Sequence, residues 1–162
     1  MGSFGFLLAR ANEVTSVMQI LMDDSNKATA GLLMVMAPPP TRDPILLIAA
    51  RYTGDPDDAK AAYKPLYDLQ PIFTNGEARP IQNVSNGHEA YNAHSTFKRF
   101  GVVGLRRFDK ERFLKTIDVW KQMIQECPDA ADTSLNFQWD SRFSPTPPFD
   151  SANSLHDIRF WQ

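Results

Sequence analysis

Two apolar segments, Thr29 to Ala37 and Ile45 to Tyr52, are separated by Pro38-Pro39-Pro40-Thr41-Arg42-Asp43-Pro44. Proline fixes φ and lacks a backbone donor, so this run continues neither a helix nor a ladder. The pattern predicts two strands joined by a rigid loop. Ile45-Leu46-Leu47-Ile48-Ala49-Ala50 is apolar at every position. A strand of that kind is expected to be covered on both faces, one by helices and one by another part of the molecule, because a one-layer sheet would alternate.

The other periodic segments supply the helices. Val14, Val17, Met18, Leu21 and Met22 recur at three- and four-residue steps and predict one apolar helix face over Asn12 to Met22. Asp55-Pro56 starts a second helix, with Asp55 as cap and Pro56 in the first turn. Ala59, Ala62, Tyr63, Leu66 and Tyr67 form its stripe, and Pro65 predicts a kink or stop before it. Asp109 caps a third helix running to about Glu126, with Phe113, Ile117, Trp120 and Ile124 facing inward. Thr96 to Leu105 reads as a strand, and Ile158 to Trp161 as the start of another. Thr133 to Asp140 alternates Leu135, Phe137 and Trp139 with Asn136, Gln138 and Asp140, a strand with one greasy and one polar face. Phe73 to His94 is a polar excursion with short elements at most. The order of elements predicts an α+β fold, an antiparallel β-sheet with helices packed on one face.

Composition narrows the function classes. A chain of 162 residues suits one domain. Its formal net charge of -2 gives no broad footprint for nucleic acid. Cys127 is the one cysteine, which excludes an internal disulfide and a cysteine-rich metal site. No apolar run approaches the roughly 20 residues of a membrane span, and the first residues lack the basic opening and long apolar core of a signal peptide. The default expectation is a cytoplasmic protein with no nucleic acid or membrane partner. The exposed aromatic end, Phe160-Trp161-Gln162, suggests a chain that continues in a longer protein.

Motifs that would announce an enzyme are missing. No G-x-G-x-x-G and no Walker loop cradles a phosphate, and no G-x-S-x-G elbow carries a nucleophile. His88-Glu89-Ala90-Tyr91-Asn92 matches the zinc motif at two positions only, so no metal is expected. Cys127, beside Glu126, reads as a structural thiol. Asn83-Val84-Ser85 reads as a chance match to a glycosylation acceptor. Two features remain. The polar strand face of Asn136, Gln138 and Asp140 lines a pocket or faces solvent, and His156 is a proton carrier, a substrate partner, or a surface histidine.

A resemblance runs through these elements. Met34-Val35-Met36-Ala37-Pro38-Pro39-Pro40, then Ile45 to Ala50 and Tyr52-Thr53-Gly54-Asp55-Pro56, resembles the middle region of the FAD-linked oxidases related to berberine bridge enzyme, of the vanillyl-alcohol-oxidase type. Pro65-Leu66 fits that family's Pro-Leu pair. Arg79-Pro80-Ile81 is similar to its Met-Pro-Tyr segment, with Ile81 in place of the aromatic. Ser154-Leu155-His156-Asp157 is similar to its Phe-Pro-His-Arg run, with only His156 shared.

The resemblance implies a single substrate-binding-type domain over residues 1 to 162, incomplete and without the flavin-binding half. It implies FAD as cofactor, with binding by this chain alone doubtful. It also implies a small-molecule substrate, oxidised in a reaction of secondary metabolism, and as partner a flavin-binding domain on another chain, or self-association. By the same resemblance Asp140 and His156 are catalytic candidates, and Asn136 and Gln138 substrate-binding candidates. The alternative is a noncatalytic ligand-binding or interaction protein that kept the sheet and lost the flavin.

Overall fold

The structure, a computed structural model, describes residues 1–23, 28–83, 99–140, 158 and 160–162. The proline loop joins β2 (Thr29–Met36) to β3 (Ile45–Tyr52) as an antiparallel pair, in register from Met36 opposite Ile45 to Thr29 opposite Tyr52. Arg42 fixes the loop: its guanidinium donates to the Ala37 carbonyl at 3.0 Å and pairs with Asp132, in the turn that precedes the last long strand.

Around this pair the sheet grows outward on both sides. β1 (Gly2–Leu7) lies along β3, and β4 (Phe73–Gly76) along β1. On the other side β6 (Leu135–Asp140) pairs with β2, β7 (Phe160–Trp161) with β6, and β5 (Gly104–Leu105) with β7. The result is a seven-stranded sheet in the order β4-β1-β3-β2-β6-β7-β5. Every pairing is antiparallel.

Cross-strand partners share a face, so the register sorts the residues. Phe4, Ile48, Leu33 and Phe137 stand in one row on the inner face, and Phe6, Leu46, Val35 and Leu135 in the next. All but half-buried Leu135 are 2% exposed or less. Three helical pieces cover this face. α1 (Ala11–Asp23) buries Val14, Met18, Leu21 and Met22. α2 (Pro56–Ala62) and α3 (Lys64–Asp68) meet at Tyr63, and Pro65 sits in the first turn of α3 where its missing donor is not needed. α4 (Lys110–Glu126) buries Phe113, Ile117 and Trp120, and the Trp120 indole donates to the Thr133 carbonyl at 2.9 Å. Asp109 accepts from the Arg112 amide at 3.1 Å as its cap. Phe137 gathers this end of the core, with ring centroids at 4.8 Å from Phe108, 5.6 Å from Phe160 and 6.0 Å from Phe113.

The α+β class and the helices on one sheet face agree with the sequence expectation. One element does not. Of the strand expected over Thr96 to Leu105, residues 99–103 lie outside any strand and only Gly104–Leu105 is assigned, with Val103 bonded to Gln162 in both directions. Phe100, Val102 and Val103 mimic an apolar strand but are exposed, at 82%, 68% and 59%. Positions 96–98 lie outside the described residues.

Gly31 stands on β2 where a side chain has no room. A methyl group there would stand 2.2 Å from the Ala49 carbonyl and 2.6 Å from the Trp139 ring. Both contacts are with atoms that have little room to retreat. Gly31→Val is therefore expected to lower stability by about 1–3 kcal/mol or more through overpacking. Gly101→Ala, at a site with nothing within 4 Å, should stay within about 0.5 kcal/mol of the parent. Urea unfolding of the two variants checks both. In the same assay Asp109→Ala should cost about 1 kcal/mol through loss of the α4 cap.

Candidate functional site

The alternation of β6 sends Leu135, Phe137 and Trp139 to the helical side and leaves Asn136, Gln138 and Asp140 exposed on the opposite, outer face. At about 3.4 Å per residue, the three polar side chains are spaced about 7 Å apart in a column. Their cross-strand partners on β2 are Met34, Leu32 and Ala30 respectively.

Continuing across the sheet, Met34 faces Leu47, Leu32 faces Ala49, and Ala30 faces Arg51. The outer face therefore carries apolar side chains at its centre, half-buried Leu32, Met34, Leu47 and Ala49, beside a polar column on β6. Charge collects in one row, where Arg51 and Asp140 flank Ala30. The continuous apolar run of β3 has this origin: Leu46, Ile48 and Ala50 face the helices, while Ile45, Leu47 and Ala49 face outward.

The backbone under the charged row is held from the helical side. Tyr63, at the junction of α2 and α3, donates its hydroxyl to the Arg51 carbonyl at 2.5 Å, with the Ala30 carbonyl at 3.4 Å. Burial pushes the phenol well above the usual tyrosine range, because the anion would lose its water. Sequence periodicity places Tyr63 in the helix stripe. Its bond to two strands is a long-range contact that no local pattern announces.

Of the residues singled out in the sequence, Asn136, Gln138 and Asp140 share one face. His156 lies outside the described residues. Trp161 and Arg51, which the sequence reading did not select, stand on the same outer face, Trp161 opposite Gln138. Among the described residues no group of three or more His, Cys, Asp and Glu side chains is placed to hold a metal ion. No helix among them is long and apolar enough to cross a membrane.

A flavin ring and a pyrophosphate make different demands on such a face. Apolar side chains beside carboxamides suit a planar ring and a substrate laid against it. A dinucleotide's pyrophosphate calls for the clustered backbone donors of a glycine-rich loop, and the sequence contains no such loop. Among the described residues, the outer face offers apolar side chains and carboxamides against which a planar ring could lie, and no glycine-rich donor cluster for a pyrophosphate.

The Tyr63 contact has a pH signature. Its folded-state pKa lies above that of the unfolded chain, so the unfolded state releases the proton first. The stabilisation is fully present below the unfolded value of about 10 and declines as pH rises beyond it. Tyr63→Phe is expected to cost about 1–2 kcal/mol at pH 7 and to flatten the fall in stability above about pH 10. Urea midpoints from pH 7 to 11 for parent and variant check this.

No protein-family model matches the chain, and no solved structure does. Among curated proteins it is similar to the FAD-linked oxidoreductase hasG of Aspergillus fumigatus, 23% identical over 101 residues. That stretch is 59% of this chain and 22% of the length of the relative. A relationship to FAD-linked oxidoreductases is what this similarity supports.

Proposed function

We propose that this chain is the substrate-binding segment of an FAD-linked oxidoreductase of the berberine-bridge-like type, acting on a small organic metabolite of secondary metabolism. The observation that carries the reading is the two-sided apolar hairpin. Its inner side is covered by the helical layer, and its outer side joins the polar column of β6 in one surface. The similarity to an FAD-linked oxidoreductase supplies the chemistry that such a surface would serve.

In this reading FAD would be held mainly by a domain on another chain or in a longer protein, and would supply hydride acceptance from substrate with reoxidation by oxygen. The work of this segment is positioning. Leu32, Met34 and Leu47 exclude water from the cleft. Asn136 and Gln138, each with a carbonyl acceptor and an amide donor, hold polar substituents of the substrate. Asp140 accepts the proton released as the substrate is oxidised. His156 hydrogen-bonds the substrate.

Two experiments test this. First, FAD is added to the chain alone, and to the chain co-expressed with a flavin-binding half. A visible flavin spectrum retained through gel filtration is expected only with the partner half. No retention in either case would leave a noncatalytic ligand-binding protein. Second, in an assembled enzyme carrying this segment, Asp140→Asn is expected to lower kcat by about 100-fold or more, the scale of lost general-base catalysis. Gln138→Ala should act mainly on KM. Unchanged turnover in Asp140→Asn and His156→Ala would remove the catalytic roles.

A further inference from the structure

We infer that Asn75 is a site of spontaneous covalent modification: the backbone nitrogen of Gly76 attacks its carboxamide, ammonia leaves, and hydrolysis turns the asparagine into aspartate and isoaspartate.

The place of the pair in the sheet makes it available. Asn75 and Gly76 end β4, which is the outermost strand and is exposed at every residue. Beside them the Met1 amine donates to the Glu77 carbonyl at 2.8 Å, and the Glu77 amide donates to the Met1 carbonyl at 2.9 Å. In an antiparallel ladder, pairs that exchange both bonds alternate with pairs that exchange none. Gly76, opposite Gly2, therefore belongs to an unbonded pair, and its N–H points away from β1 to the free edge. The Asn75 carboxamide is held by no hydrogen bond among the described residues. Glycine also puts no side chain beside the attacking nitrogen and lets the backbone turn.

Extended geometry keeps the two reacting atoms apart, so the reaction waits on local opening of the strand. β4 resists opening little. It is four residues long, pairs on one side only and buries no side chain, the properties of a segment at the low end of local stability. Asn136 is the contrast within the same sheet. It is also exposed, but the next residue is Phe137, 1% exposed and packed against Phe108, Phe113 and Phe160. A core ring must leave its place before that backbone can turn.

The reaction needs water alone. The Gly76 nitrogen loses its proton and bonds to Asn75 Cγ, the Cγ–Nδ2 bond breaks, and the departing nitrogen takes up the proton as ammonia. Water then opens the resulting five-membered imide. Opening at Cγ gives aspartate, and opening at the main-chain carbonyl gives isoaspartate, so one water is consumed, one ammonia is released and nothing is oxidised or reduced. Either product places a carboxylate in the outer-face row that holds Ser3 and Ala49. Isoaspartate also adds a carbon to the main chain, which draws Glu77 away from Met1 and leaves the edge of β1 open to pairing with another chain.

The test holds the full chain at mildly alkaline pH and body temperature, folded and in urea, and follows it by mass spectrometry. Digestion after glutamate, at mildly acidic pH where the reaction stops, cuts at Glu77 and so separates Asn75 from Asn86. Asn86, the other asparagine followed by glycine, lies outside the described residues. In the folded chain the Asn75 peptide is expected to gain the mass of an amide-to-acid exchange, as both aspartate and isoaspartate, at a rate within a hundredfold of that in urea. Asn136 should remain intact. Gly76→Ala should slow conversion at least tenfold in both states. An intact Asn75 in the folded chain while the unfolded chain converts, aspartate without isoaspartate, a rate indifferent to Gly76→Ala, or an Asn136 that keeps pace with Asn75 would overturn the inference.

Discussion

The pairing of β2 with β3 is the constraint on which the rest of the molecule depends. Both strands are apolar on both faces, and the proline loop between them turns the chain back with Met36 beside Ile45. Their position at the centre of the sheet follows from that composition, because the most apolar strands gain most from neighbours on both edges and layers on both faces. Helical cover on one side satisfies half of the demand. The other half appears as the outer face, where Leu32, Met34 and Leu47 remain half-buried. In the proposed reading, a flavin-binding domain and a substrate complete that surface.

Both layers meet at a few specific contacts. Tyr63 ties the helical layer to the backbones of β2 and β3 beneath the row that carries Arg51 and Asp140. Phe137 does similar work from β6, where its ring holds Phe108, Phe113 and Phe160 together. Because Asn136 and Gln138 flank Phe137 on the same strand, the packing of this one inward residue fixes the direction of two outward ones. Positioning of the polar column on β6 is thus a consequence of core packing.

Much of this was legible in the sequence because it is periodic. The helices α1 and α4, the two apolar strands, and the alternation of β6 each carry a repeat over many residues. The column of Asn136, Gln138 and Asp140 follows from a period of two. Short elements without a buried face were not legible: Phe73–Gly76 is exposed at every position, so nothing in its composition marks it as an edge strand. The opposite error arose at Phe100, Val102 and Val103, where apolar residues imitate a strand and stand in solvent. The neighbours of the site, Leu32, Met34 and Trp161, depend on the pairing register. Register is set by nonlocal contacts and is invisible to any local window.

The central claim is that the outer face, and not the helical one, is the working face. The methionines measure it. Met34 and Met36 lie half-buried on β2's outward side, whereas Met18 and Met22 are fully buried on the inward face of α1. Peroxide oxidation of the six methionines, read by mass spectrometry, is followed in the isolated chain and after assembly with a flavin-binding half. The account expects Met34 and Met36 to react well ahead of Met18 and Met22 in the isolated chain, and to slow markedly on assembly. Rates for Met34 and Met36 unchanged by assembly would contradict it.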